Sequence, residues 1–129
     1  MEDPKSYFYI SHLIKRFYGK VILLISPNTF SSASDFAVTM RDNRLALLIG
    51  QPISQQPTSF GDRLIFDLPE SKLSASVSFK MFYRPDASKD QEPTLYPDIV
   101  IWPTIEDLME GKDPVFDQVL QMAEEEEQN

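Results

Sequence analysis

Residues 21–50, VILLISPNTFSSASDFAVTMRDNRLALLIG, contain two apolar runs of strand length with a helical pattern between them. The runs are Val21–Ile25 and Leu45–Ile49, and a continuous apolar run is typical of a strand covered on both faces. A strand, a helix and a strand with short links predict a parallel crossover unit, whose chemistry usually lies in the loop after a strand's carboxyl end. The Asn28–Ser32 loop is in that position. The helix, which stops near Asp42-Asn43, is expected to carry on one face Ala33, Phe36, Ala37 and Met40.

The flanking sequence predicts further α/β structure within a single domain of 129 residues. Upstream, Lys5–Phe17 has apolar residues at helical spacing. Downstream, Gly50–Gly61 is a long polar loop, and Leu64–Leu68 is expected to pair with the alternating strand Ala75–Tyr83 as a hairpin across Pro69–Ser74. The remaining predicted elements are a strand at Asp98–Trp102, a helix at Ile105–Glu110 stopped by Gly111, and a last helix opened by Asp113-Pro114 with Phe116, Val119, Leu120 and Ala123 on one face.

Composition excludes several function classes. The formal charge of the chain is −8. Residues 1–64 hold seven basic and five acidic side chains (+2), whereas residues 65–129 hold five basic and fifteen acidic side chains (−10). Because nucleic acids bind basic surfaces, a nucleic-acid partner is not expected. No apolar run is long enough to span a membrane, and the acidic start Met1-Glu2-Asp3 does not resemble a secretory signal. The absence of cysteine excludes thiolate chemistry but leaves the compartment open, and one histidine with scattered acids predicts neither a metal nor a cofactor.

The segment Asn28–Asp35 places several hydroxyl groups at a sharp turn from strand to helix. The helix dipole and the free amides at such a turn favour developing negative charge, which suits acyl transfer by a serine nucleophile. The alternative is structural, because Ser32 followed three residues later by Asp35 is close to a helix capping box. These residues by themselves leave both interpretations open.

Five segments, taken in order, resemble one protein family. They are SSASDFAVTMRDNRLALLIGQP at 31–52, GQPISQQPTSFG at 50–61, DLP at 67–69, TLYPDI at 94–99 and GKDPVFDQVL at 111–120. Together they resemble the carboxy-terminal processing (tail-specific) proteases, whose relatives include tricorn-type peptidases and a retinoid-binding protein of the eye. The resemblance covers about residues 20–120. It implies an α/β fold of the crotonase-like (ClpP-like) type and a serine endopeptidase.

The family motif S-A-S-E, carried over onto this sequence, implies that Ser32 is the nucleophile and that the backbone amide of Ala33 is an oxyanion donor. Ser31 and Ser34 are then supporting or capping hydroxyls. The family's lysine base falls at Gln56, which cannot accept a proton near neutral pH. The base is therefore missing at its usual position.

Two further side chains are weighed as partners of the serine. Glu92 is a loose candidate for the acidic partner that tricorn-type sites use. His12, the only histidine, is interpreted as a partly solvated residue of the first predicted helix. The Pro97-Asp98 turn is expected to order backbone rather than to react.

The family's upstream segment, D-x-R-x-N-x-G-G, and its PDZ-like domain have no counterpart in residues 1–129. We therefore expect the nucleophile half of a catalytic domain, weakly active alone. We also expect it to be completed by a homodimer or a complementary upstream segment that pairs with the open edge of Val21–Ile25. The expected substrate is a peptide or protein. The alternative is a non-catalytic binding module on the same fold.

Overall fold

The structure, a computed structural model, describes residues 17–127. The predicted helix at Lys5–Phe17 lies outside the described residues except for its last position, and so does His12. Within residues 17–127 no helix has the length and apolar character needed to cross a bilayer.

The predicted parallel crossover is confirmed. Strand β1 is Ile22–Ile25, helix α1 is Ser32–Asp42, and strand β2 is Leu47–Gly50. β1 and β2 are parallel, with Ile25 opposite Gly50. The predicted Asp98–Trp102 strand shortens to β5 at Ile99–Val100, which pairs in parallel with the other side of β2.

The core lies between α1 and the three-stranded sheet, whose order is β1-β2-β5. Leu48 and Ile49 on the central strand are completely buried. β1 is an edge strand of the described part of this sheet, and its Leu24 is exposed, so the expectation that this strand is covered on both faces is wrong. The buried cluster consists of Ile25, Ala37, Val38, Leu48, Ile53 and Leu95.

The predicted apolar face of α1 is wrong in part. Ala37 is buried as predicted, together with Ser34 and Val38, whereas Ala33 and Phe36 are exposed. Residues three and four apart share one face of a helix, and the face that packs against the sheet is the one with Ser34, Ala37 and Val38. The sequence could not reveal this, because Ala33 and Phe36 are as apolar as the residues that are buried.

The predicted hairpin is confirmed as a separate two-stranded antiparallel sheet, made of β3 at Ser59–Asp67 and β4 at Ser74–Phe82. The polar loop after β2 is shorter than predicted because β3 already begins at Ser59. The alternating pattern of β4 is typical of a half-exposed strand, but nearly every residue of both strands is open to solvent. The apolar residues of the hairpin are therefore left largely or partly uncovered within residues 17–127.

Two helices follow the sheet. Helix α2 is Ile105–Glu110, with a Thr104–Asp107 capping box, and it ends as predicted at Gly111, whose φ is 69°. Helix α3 is Pro114–Glu127, opened by Asp113, whose carboxylate accepts from the amides of Val115 and Phe116. The predicted inner face of α3 is wrong in part, because Val115 is buried while Phe116, Leu120 and Ala123 are exposed.

Candidate functional site

The turn between β1 and α1 is the expected strand-to-helix turn. Thr29 closes it, since its amide donates to the Ser26 carbonyl at 2.9 Å and its hydroxyl accepts from the Ser26 amide at 3.0 Å. Helix α1 begins at Ser32, so the hydroxyls of Ser31 and Ser32 both lie at the helix N-terminus. The helix dipole favours negative charge at this end.

Ser31 has the unusual backbone of the turn. Its φ is 56° and its ψ is −128°, a region that residues with a Cβ rarely adopt. Its side chain makes no capping hydrogen bond, so the hydroxyl is not used to begin the helix. Backbone strain of this kind is found at sites whose surroundings force the conformation, and serine nucleophiles on strained strand-to-helix turns are one example.

Gln55 holds this strained residue in place. The Ser31 amide donates to Gln55 Oε1 at 2.7 Å, and Gln55 Nε2 donates to Ser59 Oγ at 2.7 Å. One glutamine side chain therefore connects the serine turn to the first residue of β3. Gln56, at the predicted position of the missing base, is exposed and its side chain makes no hydrogen bond to the turn in the described residues.

The backbone amides of Ser32 and Ala33 differ in their hydrogen bonding. Ser32 is exposed, and the Ala33 amide donates to the Phe30 carbonyl at 3.3 Å. The Ala33 amide therefore already has an acceptor in this conformation, and its role as an oxyanion donor stays a prediction. The Ser32 amide has no hydrogen-bond acceptor within residues 17–127. It follows Ser31 directly, where an oxyanion donor belongs if Ser31 is the nucleophile.

Ser34 does not support the site as expected. Its side chain is on the inner face of α1 and is 1% exposed, and its hydroxyl has no partner in the described residues. The capping-box alternative is not formed either, because Ser31 and not Ser32 is the N-cap, and Asp35 contributes its amide to the Ser31 carbonyl at 3.0 Å. Neither Ser32 nor Asp35 is used as a side-chain cap.

A groove of about 620 Å³ opens beside the turn. Ser31 and Gln55 lie on one side, and the start of the hairpin forms the other. Arg63 contributes a guanidinium that has no ion pair within residues 17–127, whereas Asp62 is paired with Lys80 at 3.2 Å. The remaining lining residues are Phe30, Phe60, Gly61 and Ser78. The groove thus combines aromatic rings with one unpaired positive charge.

Glu92 is not at this site. It is ion-paired with Arg84 at 2.9 Å, and Arg84 is paired with Asp42 at 2.8 Å. Asp42 ends α1 and Ser32 begins it, so Glu92 belongs to the end of the helix about 15 Å from the serines, at 1.5 Å of rise per residue. The interpretation of Glu92 as an acidic partner of the serine is wrong in this arrangement.

The Arg84 cluster is a buried structural site. The side chains of Arg84 and Asp42 are almost completely buried, and the Asp42 carboxylate accepts from Arg84 Nε and Nη2 and from the Asp86 amide. Burial alone would raise the pKa of Asp42, but these hydrogen bonds and the charges of Arg84 and Lys89 outweigh it and lower the pKa. The hydrogen bonds that Arg84 donates to Asp42 raise the pKa of Arg84. The pair is therefore held in its charged form.

Asp98 orders backbone, as the sequence predicted. Its carboxylate accepts from the Leu48 amide at 2.9 Å and pairs with Arg41, and its own amide donates to the Leu48 carbonyl at 2.8 Å. Sequence reasoning missed Gln55 and Arg63 as site residues. Loop and strand positions carry no periodic signal that would have revealed them, since they meet Ser31 through the tertiary fold.

Comparison with known proteins agrees with the resemblance at the level of the family. The model of peptidase family S41 matches residues 2–101, which include the serine turn, Gln55 and the whole hairpin. None of the curated proteins compared with the chain matches it significantly. At the level of the family, membership indicates a peptidase of the serine type. The chain belongs to peptidase family S41.

Proposed function

We propose that this chain is the nucleophile-bearing part of a serine endopeptidase of the tail-specific branch, with a crotonase-like (ClpP-like) catalytic fold. Its groove beside the serine turn receives a peptide, and a serine hydroxyl attacks the peptide carbonyl. The carbon–oxygen bond to the enzyme forms, the carbon–nitrogen bond breaks, and the serine proton passes through a base to the leaving amine. Family membership and the exposed hydroxyls at a helix N-terminus support this proposal.

The observation that carries the proposal is the strained backbone of Ser31 beside a free amide. Ser31 lies on the groove, does not cap the helix, and is followed by the unpaired amide of Ser32. Ser32, the nucleophile implied by the family motif, is followed by an amide that is already bonded to Phe30. Geometry therefore favours Ser31 as the nucleophile and the Ser32 amide as its oxyanion donor.

The chemistry at the groove is incomplete. None of its lining residues is a histidine or a lysine, and the Gln55 amide cannot act as a base. Turnover requires a base from outside the groove as described, and without one we expect a loss on the order of a hundredfold or more. The second candidate function is a non-catalytic peptide-binding module. The lack of a histidine or lysine among the lining residues favours it, because the groove retains its shape and charge without a base.

A fluorophosphonate probe tests the assignment, with the modified serine located by peptide mass spectrometry. The purified chain is compared with Ser31→Ala and Ser32→Ala, two neighbouring substitutions that each remove one hydroxyl. We expect an adduct on Ser31 that disappears in Ser31→Ala and persists in Ser32→Ala.

The other outcomes separate the alternatives. An adduct on Ser32 would favour the motif-based assignment over the geometric one. A chain that takes up no probe but still binds unmodified peptides would support the binding module and contradict the peptidase.

A further inference from the structure

The β3–β4 hairpin has one apolar face and one polar face. In an antiparallel pair, directly opposed residues share a face and successive pairs alternate. The pairs Phe60–Met81, Leu64–Val77 and Phe66–Ala75 lie on one side, and the alternate pairs, such as Arg63–Ser78 and Asp67–Ser74, lie on the other. The ladder is interrupted at Asp62, whose φ is 49°, and the register is the same on both sides of this residue.

The apolar face is large and open to solvent. Its exposed members are Phe60, Leu64, Phe66, Leu68, Leu73, Val77, Phe79 and Met81. Leu68 and Leu73 extend it past the strands, since the Leu68 amide donates to the Leu73 carbonyl at 2.9 Å. Side chains of this size expose on the order of 700 Å² in total. Contiguous apolar surface on monomers is usually smaller and, at this size, marks an interface.

The charges of the hairpin favour a second copy of the same chain as the occupant. Residues 59–83 hold three acidic and three basic side chains, for a net charge of zero, although the whole chain carries −8. Two copies brought together through their hairpins therefore meet at the part of the chain without net charge. The exposed area also approaches the roughly 800 Å² that each partner of a standard interface buries.

We propose that two copies of this chain form a symmetric dimer in which the apolar faces of their β3–β4 hairpins pack against each other. Two amphipathic sheets in this arrangement form a sandwich about 10 Å thick with apolar side chains inside and polar ones outside. Because the two copies are related by a twofold axis, both bury the same face and make the same contacts. This surface is separate from the β1 edge, and the proposal does not depend on peptidase activity.

The dimer contact reaches the serine groove at Phe60. Gly61, Arg63 and Ser78, which line the groove, are on the polar face of the hairpin, whereas Phe60, which also lines it, is on the apolar face. Packing of the apolar faces therefore fixes the hairpin, and with it one wall of the groove. In this arrangement the unpaired edges of β3 and β4 lie at the sides of the sandwich, outside the contact between the two apolar faces.

Sedimentation of the full chain over a range of concentrations tests the proposal. Leu64→Lys places a charge at the centre of the apolar face, and Ile65→Lys places the same charge one residue along, on the polar face. Their exposures, 57% and 63%, are similar, so the substitutions are matched. We expect the wild type and Ile65→Lys to dimerise, and Leu64→Lys to weaken dimerisation on the order of a hundredfold or more, because each dimer would bury two unpaired charges.

A second pair repeats the comparison on the partner strand, with Val77→Lys on the apolar face and Ser76→Lys on the polar face. Circular dichroism establishes that each variant is folded. A wild-type chain that stays monomeric at high concentration overturns the proposal and indicates that another protein or segment covers this face. Dimers that survive both Leu64→Lys and Val77→Lys also overturn it, because the contact then lies elsewhere, as at the β1 edge.

Discussion

Ser31 and Ser32 are neighbours with the same side chain, but their backbones place them in different chemical settings. Ser32 is the first helical residue, whereas Ser31 is in a positive-φ conformation that costs a residue with a Cβ of order 1–3 kcal/mol. The hydrogen bond from the Ser31 amide to Gln55 at 2.7 Å helps to offset this cost. The turn therefore exposes a hydroxyl at the expense of stability, which is the usual relation between strain and function.

Glycine substitution at these two positions measures the strain. Ser31→Gly should raise the free energy of unfolding by about 1 kcal/mol, because glycine adopts positive φ without steric cost. Ser32→Gly should lower it by about 0.5–1 kcal/mol, since glycine is a poor helix former. Urea unfolding of the two variants gives both values. Equal destabilisation by both substitutions would contradict a strained Ser31.

At the scale of elements, Gly50 allows β1 and β2 to lie side by side. It ends β2 opposite Ile25 with a φ of 129°, and a Cβ at this position would lie 2.1 Å from the Ile25 carbonyl oxygen. The neighbouring hydrogen bonds, from the Gln51 amide to that oxygen and from the Ile101 amide to the Gly50 carbonyl, fix the backbone on both sides. The strand cannot move aside without breaking the central ladder of the sheet.

Gly50→Ala should therefore lower the free energy of unfolding by more than about 3 kcal/mol, from steric overlap and an unfavourable φ. Gly111→Ala is the control, because Gly111 also has a positive φ, 69°, but a Cβ there meets nothing within 4 Å. The control should cost about 1 kcal/mol, from backbone conformation alone. Thermal or urea unfolding compares them. A small effect at Gly50 would mean that the β1–β2 contact is looser than described.

At the scale of the whole molecule, the Arg84 cluster joins the end of α1 to the segment that follows the hairpin. Arg84 Nη1 also donates to the Lys89 carbonyl at 2.6 Å, and the short 3₁₀ turn at Ala87–Lys89 is closed by Asp86. Asp42 and Arg84 are 42 positions apart in sequence, so the pair forms only when these parts of the chain have come together. Removing one partner would leave the other charge poorly compensated in the interior.

Asp42→Asn should lower the free energy of unfolding by about 3 kcal/mol at neutral pH. The pKa of Asp42 is lower in the folded chain than in the unfolded one, so the unfolded state binds more protons in acid. This part of the stability is complete above the unfolded pKa, about 3.9, and is lost as pH falls through the lower folded pKa. The Asn variant lacks this acid-dependent loss.

Urea unfolding from pH 7 down to pH 2 checks both parts of this prediction. Asp90→Asn, at an exposed position near the same cluster, is the matched control and should change the stability by less than about 0.5 kcal/mol. An Asp42→Asn chain with the wild-type dependence on pH would show that this pair does not couple folding to protonation.

Much of the secondary structure could be predicted from local pattern. The crossover at residues 21–50, the end of α1 near Asp42, the hairpin and the Gly111 stop follow from hydrophobic period, apolar run length and turn residues. These signals are local, since each depends on neighbours a few positions apart. The site was predicted only as far as the serine turn and its helix, because the motif identifies a location and not the direction of each amide.

The sequence by itself determined the order of elements and the place of the hydroxyl-rich turn, and the family resemblance implied that Gln56 stands where a lysine base is expected. The tertiary structure decided which face of α1 is buried, that Ala33 is bonded to Phe30, that Gln55 supports Ser31, and that Glu92 serves Arg84 at the far end of the helix. Local patterns depend on the conformational preferences of successive residues. Burial, hydrogen-bond partners and backbone strain depend on which distant surfaces meet, and packing of the whole chain sets them together.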